Sequence, residues 1–189
     1  MKHLQAINPL FFSILILLCF TNCSTDDVGD NENVTSIAVK LKSTVGELEN
    51  VYMQIEDVQF KVKEDDNAHN AWMSLNTINQ GTFNVCNLNE DVALLLVDHI
   101  EIESTFIHEI RLVLGDNNFI DANGLLMSLE VSDLGNSRPS NLVKTDLVSN
   151  RSYEFVIDLD IDKSISFNEE ENMMVLNPKI YTAIRQLEY

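Results

Sequence analysis

Apolar and polar residues alternate along much of the chain after residue 34, as they do in strands that bury one face. Ile37, Val39 and Leu41 occupy alternate positions with polar or small residues between them, and residues 125–131 alternate in the same way. Segments rich in Gly, Asn and Asp, which favour turns, separate these runs. The pattern predicts about eight to ten short strands.

One long apolar run, residues 51–63, changes phase part-way along. Its apolar side chains stand at odd positions up to Ile55 and at even positions from Val58 onwards. Because one extra residue moves every later side chain to the opposite face, this change predicts a β-bulge near Glu56 and Asp57. A strand that passes from one sheet to another is the alternative.

No helical pattern of about 10–15 residues alternates with the strands, which argues against a parallel sheet with crossover helices. The apolar run at residues 92–97 fits either a strand or a short helix. We therefore predict an all-β fold, an antiparallel β-sandwich of Greek-key type that occupies residues 37–189.

The first 22 residues have the organisation of a bacterial signal peptide. Lys2 supplies a basic start, and an apolar run from Leu10 to Phe20 follows. That run is shorter than the roughly 20 residues that a membrane-spanning helix needs. Cys23 comes three residues later and resembles the cysteine of a lipobox, whose thiol receives a diacylglyceryl group. We predict that residues 1–22 are removed and that Cys23 is the lipid anchor; an ordinary signal with an incidental cysteine is the alternative.

Residues 23–36 are polar and acidic, which is the composition of a flexible tether. Asp26 and Asp27 resemble the acidic export signal of bacteroidete-type lipoproteins, and a simple solvated linker is the alternative. The export interpretation predicts a protein that is lipid-anchored in the outer membrane and exposed at the cell surface.

The chain of 189 residues carries 30 acidic and 12 basic residues, a formal charge of −18. This excess argues against nucleic-acid binding, which needs basic groups, and against electrostatic docking on anionic lipid. We expect membrane contact only through the acyl chains on Cys23, and we expect a monomer. Cys86 would be the one cysteine of the mature body, so no intramolecular disulfide is expected. Alternation predicts that Cys86 is a half-buried strand residue.

Four acidic residues follow the spacing of a calcium-binding loop: Asp158, Asp160, Asp162 and Glu169. Lys163 stands where the sharp turn of such a loop requires Gly, and apolar residues alternate with the three aspartates. We therefore interpret the segment as a strand with an acidic outer face, and calcium binding is the weaker alternative.

Two further side chains are candidate contacts. Trp72 can serve as a stacking platform for a carbohydrate if it is exposed, although a lone Trp beside apolar residues is more often part of a core. Arg111 interrupts an apolar strand, and we expect it to form a structural ion pair with an acid across the sheet. The acids of residues 158–162 are candidate partners.

Nothing in the sequence predicts catalysis or a resident cofactor. His69, His99 and His108 lack the spacing of zinc ligands. Asp98, His99 and Ser104 lack the motif that accompanies a nucleophilic serine. We therefore expect no catalytic residue and no metal.

Several short motifs follow one another in a specific order: VYMQIEDV at 51–58, Trp72 with Leu75, HEIRLVL at 108–114, PSNLVK at 139–144, IDLDIDKSI at 157–165 and LNPKI at 176–180. Their order resembles the family catalogued as domain of unknown function 4382, over roughly residues 36–185. This resemblance implies a β-sandwich of the transthyretin-like or immunoglobulin-like sort, and it implies no known activity.

Together these features predict a non-enzymatic, lipid-anchored cell-envelope lipoprotein with a binding or structural role. The alternative is an extracellular module that binds carbohydrate or calcium, with a glycan or a protein as its ligand. A small hydrolase is the least favoured alternative, because no catalytic constellation is present in the sequence.

Overall fold

Strands dominate the part of the chain that the computed structural model describes, which is residues 33–44, 46–131 and 134–187. The predicted signal peptide, Cys23 and most of the predicted tether lie outside the described residues. The described strands are β1 Val34–Ser43, β2 Val51–Lys61, β3 Trp72–Ser74, β4 Gly81–Asn84, β5 Leu94–Glu103, β6 Phe106–Leu114, β7 Phe119–Ala122, β8 Leu125–Glu130, β9 Ser140–Asp146, β10 Ser152–Asp160, β11 Ile165–Asn168, β12 Met173–Leu176 and β13 Lys179–Leu187. A 3-10 turn spans Val85–Asn87, and one helical turn, α1, spans Ile161–Ser164.

The strands form two sheets that pack face to face. The smaller sheet has the order β13-β10-β1-β5. The larger sheet has the order β11-β12-β8-β7-β2-β6-β9, and β3 and β4 also pair with β2. The predicted all-β sandwich is confirmed. Two pairs, β1 with β10 and β8 with β12, are parallel, so the sheets are mixed and not purely antiparallel. Alternation along one strand carries no information on the direction of its neighbour, and this is why the sequence did not predict the parallel pairs.

The inner faces of the two sheets meet in one apolar core. Ile37, Val39 and Leu41 of β1 point inward from the smaller sheet, as their alternation predicts. Phe155 of β10 and Phe60 of β2 meet across the core, with ring centroids 4.7 Å apart and planes tilted by 52°. Since both rings are fully buried and come from different sheets, this pair joins the two layers directly.

A bulge in β2 explains the change of phase in the sequence. The pairing of β2 with β6 shifts between Ile55 and Asp57, and β2 remains in the larger sheet throughout. The predicted bulge is therefore confirmed, and the alternative of a strand that changes sheets is wrong. The amide of Val58 donates to Asp57 Oδ1 and to Thr77 Oγ1, both at 2.9 Å, so side chains satisfy the backbone where the ladder is interrupted.

One sequence-based boundary needs correction. The predicted tether extends to residue 36, but β1 already begins at Val34 and Ser36 pairs with Ser152. Thr35 is 1% exposed, and its hydroxyl donates to the Val148 carbonyl at 2.8 Å. A polar residue that is buried through a hydrogen bond leaves no apolar periodicity, and this is why the start of the strand was missed.

Cys86 is half-buried, as expected, but it lies in the 3-10 turn and not in a strand. The side chain of Asn84 caps this turn by accepting a hydrogen bond from the Cys86 amide at 3.1 Å. Burial raises the pKa of the Cys86 thiol above its usual value. The ambiguous run at residues 92–97 contributes to a strand, since β5 begins at Leu94.

Candidate functional site

Trp72 lies on the outer face of the larger sheet, where it is half-buried. It stands on β3 directly opposite Lys61 of β2, on the side of the sheet away from the core. The guanidinium carbon of Arg111 lies 3.7 Å from the centroid of the Trp72 ring. This is the geometry of a cation–π contact, so one face of the indole is covered by the protein itself.

Arg111 is held in this position by a chain of hydrogen bonds. Gln59 is its direct neighbour across β2 and β6 and accepts from Arg111 Nε at 2.9 Å and from Nη2 at 2.5 Å. Asp57 in turn accepts from Gln59 Nε2 at 2.8 Å. We call Trp72, Arg111, Gln59 and Asp57 the Trp72–Arg111 cluster. A rigid, planar guanidinium with its edge on the surface can donate hydrogen bonds to hydroxyl or carboxylate oxygens.

The expected ion pair of Arg111 with an acid at 158–162 is therefore wrong. Those acids belong to the smaller sheet and its α1 turn, whereas Arg111 projects from the outer face of the larger sheet. Burial lowers the pKa of Arg111, and the charge of Arg138 acts in the same direction, while nearby acids oppose it. The guanidinium stays charged, because its usual pKa lies far above neutrality.

Lys61 forms an ion-pair network beside the cluster. The residue is only 6% exposed, and its ammonium lies 2.7 Å from Asp66 Oδ1 and 3.1 Å from Glu109 Oε1. The hydrogen bond to Asp66 raises the pKa of Lys61, and Glu109 adds to this effect while burial opposes it. The two carboxylates thus stabilise the buried ammonium group of Lys61. No sequence motif predicted this ion-pair network.

Three of the four calcium-candidate residues have separate partners. Asp158 accepts from Thr44 Oγ1 at 2.9 Å and lies 3.2 Å from Lys42 Nζ. Asp160 caps α1 by accepting from the amide of Lys163, whose ammonium lies 2.6 Å from the same carboxylate. The hydrogen bond from Lys163 lowers the pKa of Asp160.

Asp162 lies in α1 and not on a strand, which corrects the interpretation of the segment as one continuous strand. Its carboxylate accepts from the backbone amide of Glu47 at 3.1 Å. Glu169 is exposed in the turn between β11 and β12. Within residues 33–44, 46–131 and 134–187, no group of three or more His, Cys, Asp or Glu residues is arranged to hold a metal ion.

The other polar residues weighed in the sequence do not assemble either. His99 Nδ1 lies 2.7 Å from the carboxylate of its neighbour Asp98, and both side chains are exposed. Ser104 instead donates to Ser149 Oγ at 3.0 Å and lies 3.1 Å from Thr35 Oγ1. These hydroxyls join the start of β1 to the turn between β5 and β6 and to the loop between β9 and β10.

A polar cavity of about 190 Å³ lies on the outer face of the smaller sheet. Ion pairs cross this face: Glu154 contacts both Lys40 and Arg185, and Lys42 contacts both Glu90 and Asp158. No sequence pattern predicted this arrangement, because the partners lie far apart in the chain and meet through the pairing of β10 with β1 and β13 and through the loop before β5.

A comparison with known protein families agrees with the resemblance that the sequence motifs show. The family model described as Domain of unknown function (DUF4382) matches residues 35–178. The chain belongs to the DUF4382 family. The matched range of this DUF4382 protein begins within β1 and ends one residue before β13, so it contains the Trp72–Arg111 cluster and the four candidate acids.

No curated protein matches the DUF4382 chain. No solved structure matches it either. Among the described residues, no helix is long and apolar enough to cross a membrane.

Proposed function

We propose that this DUF4382 protein is a non-enzymatic lipoprotein of the outer membrane, anchored by acyl chains on Cys23, whose sandwich domain has a binding or structural role at the cell surface. The observation that carries the proposal is the apolar run at Leu10–Phe20 followed by Cys23. The position of the first strand supports it, because β1 begins at Val34 and leaves a polar linker after the cysteine.

The linker length sets how far the domain can stand from the membrane. Residues 24–33 span at most roughly 33–36 Å when fully extended, at about 3.3–3.6 Å per residue. The formal charge of −18 repels an anionic surface, which favours a domain that stands off the membrane and faces solvent.

Membrane partition of a Cys23→Ala variant tests the anchor. We expect this variant in the soluble fraction, because the acylated thiol is the proposed attachment. Cys19→Ala is the matched control, since Cys19 lies inside the apolar run and should leave partition unchanged. Unchanged membrane partition of Cys23→Ala would overturn the proposal.

A second candidate function is the binding of a glycan at the Trp72–Arg111 cluster. The observation that favours it is a half-buried indole on an outer face, fixed by Arg111 and flanked by hydrogen-bond donors. Because the guanidinium covers one face of the ring, a sugar would contact the free part of the indole and the edge of Arg111.

A glycan array probed with the released Cys23→Ala protein tests this second function. We expect any bound glycan to be lost with Trp72→Ala and retained with Phe167→Ala, which removes an exposed aromatic residue elsewhere on the larger sheet. Binding that survives Trp72→Ala would exclude the cluster as the site.

A further inference from the structure

Strand β13 is an edge strand of the smaller sheet. Its nine residues, Lys179–Leu187, pair with β10 in an unbroken register on one side. On the other side, β13 is the last strand of the sheet order. Tyr181, on the outer face, is 55% exposed. A long, regular edge strand presents unpaired backbone N–H and C=O groups that can pair with another chain.

The other described edges carry features that oppose such pairing. Lys144 in β9 and His99 in β5 both have a φ of 44°, which interrupts the strand geometry. Strands β11, β3 and β4 have only four, three and four residues. No residue of β13 has a positive φ, and its register has no shift. Bulges and short edge strands are common devices against edge pairing, and β13 has neither.

We propose that β13 pairs antiparallel with β13 of a second copy of this chain, so that two smaller sheets join into one of eight strands. The twofold axis passes midway between the two copies of Ala183, the central residue of the strand. Each of the nine residues then lies opposite a residue of the other β13. An isologous contact of this kind closes on itself and stops at a dimer.

The side chains of the outer face fit this register. Tyr181 of one copy lies opposite Arg185 of the second copy, and Ala183 faces itself, where a small side chain avoids a clash. Within each copy, Asp158 stands beside Tyr181 and Glu154 stands beside Arg185. In the dimer, Arg185 of one copy therefore lies beside the Tyr181 ring of the other copy, and Asp158 of that other copy lies behind the ring. The alternation of basic and acidic side chains on the outer face thus continues from one sheet into the other.

The neighbouring registers fit less well. An axis through Thr182 places Lys179 opposite Arg185, and like charges directly opposite each other are destabilising. An axis at Ile184 leaves Lys179 and Ile180 without a partner among the described residues of β13, Lys179–Leu187. The central register is therefore the one that uses the whole strand without opposing like charges.

The contact adds only one pair of strands, so the surface area that it buries should be smaller than the roughly 1,000 Å² expected of a stable interface. The resulting dimer is weak in dilute solution. The net charge of −18 on each copy opposes association, so higher salt should strengthen the dimer by screening this repulsion. This differs from the sequence-based expectation of a monomer. If the proposed anchor holds, sharing one membrane raises the effective concentration of the copies.

Oxidative cross-linking of the full chain tests the register. The chain carries Cys23→Ala, so that the result does not depend on the anchor. Opposed residues in an antiparallel pair have Cα atoms about 4.5–5.5 Å apart, which is within disulfide range. We expect Ala183→Cys to form cross-linked dimers. The control Gln186→Cys is also exposed, but it lies away from the axis and should give none above background.

Sedimentation at high protein concentration supplies the second measurement. We expect twice the monomer mass for the Cys23→Ala chain and for Ala183→Ser, and monomer mass for Ala183→Lys, which opposes two ammonium groups at the axis. Ala183 is exposed, so Ala183→Lys should fold normally, as checked by its melting temperature. Equal cross-linking at positions 183 and 186, or monomer mass at high salt for the Cys23→Ala chain, would overturn the proposal.

Discussion

Removing either ring of the Phe60–Phe155 pair should destabilise the domain far more than removing an exposed phenylalanine. Both rings are fully buried, come from different sheets and lie 4.7 Å apart between centroids. A buried Phe→Ala substitution costs about 3–5 kcal/mol, through lost burial and the cavity that remains. For a domain of this size, each kcal/mol lowers the melting temperature by about 2–4 °C. We therefore expect Phe60→Ala and Phe155→Ala each to melt roughly 6–20 °C below the parent protein.

The coupling between the two rings tests whether they meet in solution. An aromatic pair contributes about 0.5–1.5 kcal/mol beyond the area it buries, and the two truncations share one cavity. The double variant should therefore lose less free energy of unfolding than the sum of the two single variants. Urea denaturation followed by circular dichroism measures all three losses.

The control for this pair is Phe167→Ala, because Phe167 is 55% exposed on β11. Its substitution should change the free energy of unfolding by no more than about 0.5 kcal/mol. If Phe60→Ala costs as little as Phe167→Ala, or if the two buried substitutions are strictly additive, the packing of the two sheets described above is wrong.

Three further predictions concern single residues and one concerns calcium. Gly135→Ala should lower the melting temperature, because a Cβ at this position would collide with the backbone carbonyl oxygens of Glu130 in β8 and Leu176 in β12. The pKa of Lys61 is raised above its usual value of 10.5, so the stabilisation that its charge provides is complete below pH 10.5 and is lost as the pH rises through the raised pKa. Above pH 10.5, the free energy of unfolding of Lys61→Met should therefore fall less steeply with pH than that of the parent protein. The Cys86 thiol, whose pKa burial raises, should react with a thiol reagent at pH 8 more slowly in the folded protein than in urea, and equal rates would contradict its half-buried position. Millimolar calcium should leave the melting temperature unchanged, because the four candidate carboxylates have separate surroundings, whereas a rise would indicate a site on the folded state.

Much of the fold was readable from the sequence because side-chain burial alternates along a strand. The period of two predicted β1 and β8, and the change of phase near Glu56 predicted the bulge in β2. The short strand β7 was not predicted, although Asn123-Gly124 after it is a two-residue hairpin signal. In the structure these residues have φ of 57° and 85°, as a type I′ turn requires.

The candidate site was less predictable, because its contacts join residues that are far apart in the chain. Trp72 could be singled out as the single Trp of the sequence, but its partner Arg111 reaches it only because β3 and β6 flank opposite edges of β2. The spacing of Asp158, Asp160 and Asp162 suggested one shared site. The α1 turn instead directs the third carboxylate to a different partner from the first two. Spacing in the sequence predicts a shared site only where the local backbone geometry is also that of the binding loop.

The mass of the N-terminal tryptic peptide tests the central claim of a lipid-anchored protein most directly. No Lys or Arg stands between Lys2 and Lys40. If the signal peptide is removed before Cys23, trypsin therefore yields one N-terminal peptide, residues 23–40. The account predicts that this peptide, from protein isolated from its native membranes, begins at Cys23 and carries the added mass of a diacylglyceryl group. A peptide that begins at another residue, or that begins at Cys23 without added lipid mass, would contradict the account.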